Sequence, residues 1–324
     1  MKNKFGLIGI FVILSFSIFA VDLELDENFI VNYSGDYYQI LDIESESSRT
    51  FLLLENKAVA LLDAGGNIKR VIDLQTDALI HPLTELTPRL INQEDYTKFL
   101  DVGGLSYSNG VLYVAYSNII KMYDPNGMFL NKIELNESMK LSDIAILNSQ
   151  IYVLDDIKGI FKIMGKEAIK IYPESVELSN FIQYNNLEII DNSLYVYYTE
   201  GKEDQEGITI SFIRGVYKLS AKDNKYVEEK RVELGEDSII NHSFISFENN
   251  LMLSKGESEI YIFDKDLNIK LYINSPKIFL YPKFDVVKEE NGTRGYIVIY
   301  NHGELKRYFF DLAIPHKVVR WNIE

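Results

Sequence analysis

The sequence predicts an all-β chain of repeated four-stranded antiparallel units, and three observations carry that prediction. After residue 21 no stretch keeps a helical period; short alternating or continuous apolar runs recur instead, broken by Asn, Asp, Gly and Ser. Aromatics make up 13% of the 324 residues, with Tyr 22 and Phe 18, a composition that favours strands. The runs group in fours at about 40 residues per group, which is the period of a propeller blade.

The clearest unit runs from Gly103 to Leu130. Its strands are separated by Asn109-Gly110, a hairpin pair that needs positive φ, and by the turn Asp124-Pro125-Asn126-Gly127. The pattern returns at Ser142–Ile146 with Gln150–Asp155, at Leu187–Val196, and at Phe244–Leu253 with Glu259–Asp264. A weaker copy precedes these: Tyr37–Asp42, Thr50–Leu54, Ala58–Leu62 and Ile68–Leu74, with Asp63 to Asn67 as its last turn. Another follows at Phe284–Lys288, Gly295–Tyr300 and Leu305–Leu312. Six such units predict a six-bladed β-propeller of four-stranded antiparallel blades, a single domain over 21–324. One strand is left over. Phe29–Tyr33 and Val318–Asn322 compete to close the ring, and Trp321 is expected to pack in the closing sheet.

The 103–130 unit resembles an NHL repeat, whose pattern is Gly-Ile-Ala-Val, a turn, Leu-Tyr-Val-Ala-Asp, then Asn-Arg-Ile and an Asp-Pro-Asp-Gly turn. Ser142–Asp155 is similar to the first half of that pattern. Tyr116 stands where the family has Asp, and Ile120-Lys121 where an Arg-Ile pair is usual. The resemblance implies a six-bladed propeller over residues 30–324.

The N-terminus predicts export. Lys2 and Lys4 precede the uncharged run Phe5–Ala20, and an acidic stretch from Asp22 to Glu27 follows. A charged start, a short apolar run and a small residue at its end match a signal peptide over 1–20. The run falls short of the ~20 residues that span a bilayer, so cleavage is favoured over an uncleaved anchor and no membrane span remains afterwards. The expected location is periplasmic or secreted. Cys 0 excludes disulfides, a lipid-modified cysteine, thiol catalysis and Cys-ligated zinc. The formal net charge of −15 lacks the cationic footprint that neutralises phosphates, so nucleic acid is not the expected partner.

Strand alternation sorts the loops onto two faces. The short turns at Asp63, Asn109 and Asp124 share one. The long segments Gln75–Leu100, Ser175–Tyr184 and Thr199–Ser211 are expected on the other, where length and elaboration favour function. Leu83 and Leu86 make the first of these apolar, as a recognition cap or as a plug for the central channel. Glu203, Asp204 and Glu206 make the third acidic. These five residues form the expected partner-binding surface.

The sequence carries no nucleotide-binding loop, nucleophile elbow or triad spacing. His81, His242, His302 and His316 lack the helical spacing of a zinc site. Asp264-Lys265-Asp266 begins like a calcium loop, but Ile269 stands at its sixth position and Ser275 at its twelfth; it aligns better with the Asp63 and Asp124 turns. The tyrosine pairs Tyr37-Tyr38 and Tyr197-Tyr198 offer sugar-stacking rings, although strand propensity accounts for them. The sequence therefore points to an exported, non-catalytic binding module for a protein or peptide, with no cofactor. The alternative is a metal-dependent hydrolase or lyase resembling propeller lactonases, with Asp143, Asn186 and Asp285 holding a divalent cation at the channel mouth.

Overall fold

The computed structural model describes residues 19–20, 24–25, 27, 40–46, 48–55, 57–80, 102–173, 182–203, 209–222, 225–236, 244–247, 249–255, 259–274, 283–288, 294–301, 304–311 and 319–320; from 271 onward it describes backbone alone. Two short strands come first, β1 (Phe19–Ala20) and β2 (Glu24–Leu25). The first large sheet follows as β3 (Ile40–Glu46), β4 (Arg49–Leu54), β5 (Ala58–Asp63), β6 (Ile68–Asp73) and β7 (Ala78–Ile80). The next holds β8 (Gly104–Ser108), β9 (Val111–Tyr116), β10 (Ile119–Tyr123) and β11 (Phe129–Glu134). Then come β12 (Leu141–Leu147), β13 (Gln150–Asp155), β14 (Gly159–Met164) and β15 (Glu167–Tyr172).

The strands lengthen in the following blade: β16 (Ile182–Ile190), β17 (Ser193–Glu203), β18 (Thr209–Lys222) and β19 (Lys225–Glu236). After it stand β20 (Phe244–Phe247), β21 (Asn250–Lys255), β22 (Glu259–Asp264) and β23 (Ile269–Asn274). The last blade combines β24 (Lys283–Lys288), β25 (Arg294–Asn301) and β26 (Glu304–Asp311) with β2 from the N-terminus, and β27 (Val319–Arg320) pairs with β1. Each sheet's first strand lies beside the first strand of the next, and β24 lies beside β3, which closes the ring.

The expected set of six four-stranded blades is corrected here. The structure has five four-stranded blades, not six, and the β3–β7 sheet has five strands. The extra strand arises at a turn that the sequence reading took for the start of a crossing. Asp73 accepts the N–H of Gln75 at 2.8 Å and the Thr76 hydroxyl at 2.8 Å, and the Asp77 N–H reaches the Asp73 carbonyl at 2.8 Å. With Asp77 at φ +58°, the chain reverses and Ala78, Leu79 and Ile80 pair with Asp73, Ile72 and Val71. Ring closure falls to the N-terminus: Glu24 pairs with Phe309 and Leu25 with Tyr308. The two closing segments considered from sequence, and Trp321, lie outside the described residues or are described only at Val319–Arg320.

The turns behave as their composition predicts. Asp63, Asp124 and Asp264 each close a third-to-fourth strand turn in the same way. One carboxylate oxygen accepts two backbone N–H groups: Gly65 and Asn67 for Asp63, Asn126 and Met128 for Asp124, and Asp266 and Asn268 for Asp264, all at 2.8–2.9 Å. Such Asx turns satisfy donors that the ladder leaves over. Partial burial opposes ionisation at Asp63, but Lys69 and these N–H groups hold its carboxyl down to about 2. At Asp264 the same contest ends with its pKa lowered by Asn268 and Asp266.

The core lies in the seams between sheets. Phe51, Leu53, Val59 and Ile72 meet Leu105, Leu112, Val114 and Tyr123 across the first seam. Comparable clusters fill the next three, around Ile144 and Phe161, around Leu187 and Tyr217, and around Tyr197 and Phe244. Alternation along each strand sends successive side chains into opposite seams, which is why the repeats read as nearly continuous apolar runs.

Candidate functional site: the channel and the acidic arm

The first strands of the sheets line a central channel whose cavity has a volume of about 240 Å³. Its walls include Asp42, Glu44, Ser106, Asp143, Asn186 and Glu188. Each carboxylate ties one blade to the next. Asp42 sits at a register shift in β3 and accepts the N–H of Ile43 at 2.9 Å and that of Leu105, on β8, at 2.7 Å. Asp143 sits at the matching shift in β12 and accepts Ile144 N–H and, on β16, Leu187 N–H, both at 2.8 Å. Glu44 takes the N–H of Tyr107 at 2.8 Å, and Glu188 takes the Ser246 hydroxyl at 2.7 Å. Inner strands do not share a ladder with their neighbours, so these carboxylates satisfy backbone donors that the sheets leave facing the channel.

The residues expected to hold a cation are placed as follows. Asp143 and Asn186 come together, with Asn186 Nδ2 donating to Asp143 Oδ2 at 3.4 Å. Asp285 lies on β24 opposite Val298, and its side chain is outside the description. Both Asp143 oxygens are engaged by backbone N–H groups, so a cation there would compete with the contacts that join two blades. Among the described residues no three His, Cys, Asp or Glu side chains converge in a metal-ligating group. The four histidines and Tyr37-Tyr38 lie outside the described residues. Tyr197 and Tyr198 are both buried between blades, which leaves neither ring as a stacking platform.

The long second-to-third segment Thr199–Ser211 is largely sheet, not loop. β17 runs to Glu203 and β18 begins at Thr209, with Lys202 opposite Ser211 and Glu203 opposite Thr209. This hairpin arm stands on a rigid base. Arg231 donates through Nε to the Tyr198 hydroxyl at 2.6 Å and through Nη2 to Glu200 at 2.6 Å. Its guanidinium lies 4.8 Å from the Tyr198 ring centre and 5.1 Å from that of Tyr217, and those rings stack at 4.1 Å. Burial works against the charge, yet Glu200 and the two phenols raise the Arg231 pKa. Gly215 makes the arrangement fit, because a Cβ there would lie 2.7 Å from the Tyr198 hydroxyl oxygen. Of the expected partner-binding residues, Glu203 lies on the arm as backbone only; Asp204, Glu206, Leu83 and Leu86 lie outside the described residues.

Sequence reading missed Arg231, Asp42, Glu44 and Glu188. Asp42 had a usable signal, since it opens its unit as Asp143 does; Arg231 had none, because its partners are 31 and 33 positions away. Also missed was a buried link across the first seam. Lys121, 4% exposed, donates to the Asp77 carboxylate and the Leu74 carbonyl, both at 2.6 Å, and the Tyr123 hydroxyl donates to Asp77 at 2.6 Å.

No protein-family model matches the sequence, and no curated protein matches it. Solved structures do match in shape. The chain is similar to the WD40 β-propeller domain of Doa1, at 14% identity and a TM-score of 0.52 over 89% of this chain and 97% of that one. It is also similar to Raptor of Chaetomium thermophilum, at 7% identity and a TM-score of 0.52 over 92% of this chain and 28% of that one. BamB of Moraxella catarrhalis matches at 10% identity and a TM-score of 0.43 over 88% of this chain and 87% of that one. Likeness at such identities speaks to architecture, and with the strand order it establishes that this chain is a β-propeller repeat protein.

Proposed function

We propose that the chain is an exported, non-catalytic propeller that binds a protein or peptide partner through the acidic tip of its β17–β18 arm. The carrying observation is that arm: a hairpin whose described strands outrun those of the other blades, braced by Arg231 on Tyr198 and Tyr217, with Glu203, Asp204 and Glu206 in the sequence that joins its two strands. A rigid scaffold with one elaborated edge suits recognition, and its carboxylates suit a basic segment. The propeller likeness to Doa1 and Raptor supports a scaffold role by analogy of fold. The engagement of Asp143 in blade-to-blade hydrogen bonds favours binding over metal chemistry, and no cofactor enters this reading. Export rests on the Lys2–Ala20 segment, and the repeat type is taken as NHL-like on the 103–130 unit.

The test is affinity capture from the chain's native extracytoplasmic fraction, with wild type beside a variant carrying Glu203→Lys, Asp204→Lys and Glu206→Lys. Species retained by wild type, eluted by salt and absent from the variant support the proposal. Identical retention by both proteins would overturn it.

A further inference from the structure

We infer that the open edge of β11 pairs with the same edge of a second copy of this chain, antiparallel about a twofold axis at Ile133. The inference is independent of the binding proposal, which rests on the arm. It starts from the backbone. β11 is the last strand of its sheet, paired with β10 on one side and, among the described residues, with no strand on the other. The Leu135 N–H reaches the Asn118 carbonyl at 2.9 Å. Backbone groups alternate sides along an antiparallel ladder, so Ile133 and Asn131 also turn theirs toward β10. Lys132 and Glu134 turn theirs to the open edge.

The residues that present those outward donors and acceptors carry opposite charges. Within the chain they meet each other, Lys132 Nζ lying 2.9 Å from Glu134 Oε2, with side chains 41% and 55% exposed. A twofold axis centred on Lys132 would set that lysine against itself, and one centred on Glu134 would do the same to the glutamate. Each opposes like charges. An axis centred on Ile133 sets Lys132 of each copy against Glu134 of the other. Those facing residues exchange both N–H groups and form an ion pair across the axis, which replaces the one within the chain. The edge therefore matches itself, and this selects a second copy as its occupant.

The other described outer strands lack this self-match. Glu167 and Lys170 of β15 stand three positions apart, so alternation turns their backbones to opposite sides. On β19, Glu228 accepts the Tyr172 hydroxyl at 3.1 Å, and Lys230 is committed to the β22–β23 turn through the Asp266 carbonyl and Asn268. β23 carries no acidic residue. Apolar area adds the drive at β11. Met128, Phe129 and Leu130 lead into the charged stretch and are 53%, 42% and 53% exposed. Three consecutive large apolar side chains on an open edge favour association. With the axis at Ile133, the strip of each copy runs beside the other chain beyond Glu134 and leaves water there.

The test is sedimentation equilibrium of the purified protein, wild type beside Lys132→Glu and Glu134→Lys. A strand-edge contact is small, so wild type should dimerise in the range of about 10–100 µM. Each single variant opposes like charges across the axis and should weaken the dimer roughly tenfold. An equimolar mixture of the two should recover it, because one edge is then wholly acidic and its mate wholly basic. The double variant carrying both substitutions keeps opposite charges facing and should dimerise as wild type does. Both side chains are exposed, so circular dichroism should show every variant folded. Wild type that stays monomeric to about 500 µM would overturn the inference. So would single variants that dimerise as wild type does, or a mixture or double variant that stays monomeric.

Discussion

Asp143 Oδ2 accepts the backbone N–H of Leu187 at 2.8 Å, joining two blades whose inner strands share no ladder. Asp42 does the same to Leu105 at 2.7 Å, so one residue type at one position of the repeat supplies both clips. Gly104 belongs to the same arrangement: a Cβ on it would fall 2.5 Å from Asp143 Oδ1 and 2.6 Å from Asp143 Cα. The absent side chain on β8 makes room for the carboxylate on β12.

Breaking this clip should therefore cost stability from either side. Asp143→Ala leaves the Leu187 and Ile144 donors facing the channel and should lower the unfolding free energy by about 2 kcal/mol. Gly104→Ala should cost about 1–3 kcal/mol through overpacking against backbone that cannot yield. Urea unfolding measures both. A change below about 0.5 kcal/mol in either variant would show that the clip is not a structural joint.

The Lys121–Asp77 pair anchors the turn that creates the fifth strand. Lys121→Met should cost about 3 kcal/mol, because it removes the cation that pairs with the Asp77 carboxylate and leaves the Leu74 carbonyl with the Tyr116 hydroxyl in place of two donors. The double variant Lys121→Met with Asp77→Ala should cost less than the sum of the singles. Strict additivity in denaturant unfolding would count against the link.

Alkaline stability should follow the buried tyrosines. Burial, helped at Tyr184 by the Glu200 charge, pushes that phenol up to about 12. Burial likewise pushes Tyr195 and Tyr198 up to about 12, against the lowering pull of Lys218 and Arg231 respectively. The folded state therefore disfavours the phenolate relative to the unfolded chain. Stability from these rings is complete below about pH 10 and is lost as pH rises toward about 12. Phenolate absorbance should show one class of tyrosine titrating normally and a second appearing only with loss of the native β signal. A single normal titration with the fold intact would contradict the seams described here.

Closure by β2 separates two N-terminal truncations. A chain starting at Val21 loses β1 and its pairing with β27 but retains Glu24 and Leu25; relative to it, one starting at Asp26 should lose about 2 kcal/mol more, two ladder bonds at about 1 kcal/mol each. Equal melting temperatures would mean that another segment closes the last blade. Cleavage after Ala20 would remove β1 but spare this strand.

The strands, the turns and the propeller architecture were legible because they are local. Asn109-Gly110 takes its positive φ values of 52° and 77°, and the three Asp turns fold alike, since a carboxylate two residues from a free N–H needs no distant partner. The acidic segment was legible as composition but not as a hairpin arm, because the pairing of Lys202 with Ser211 spans a connection without strand propensity of its own.

By itself, then, the sequence determined the β class, the repeat of about 40 residues and the chemistry of the Asn109-Gly110, Asp63, Asp124 and Asp264 turns, all set by side chains acting within a few positions of themselves. Tertiary structure alone decided the fifth strand of the first sheet, the strand that closes the ring, and the use of Asp42 and Asp143 as joints. In each case the deciding partner lies far along the chain: Asp77 with Lys121, Leu25 with Tyr308, Asp143 with Leu187. A backbone donor left over by one blade has no sequence signature until the next blade is folded against it.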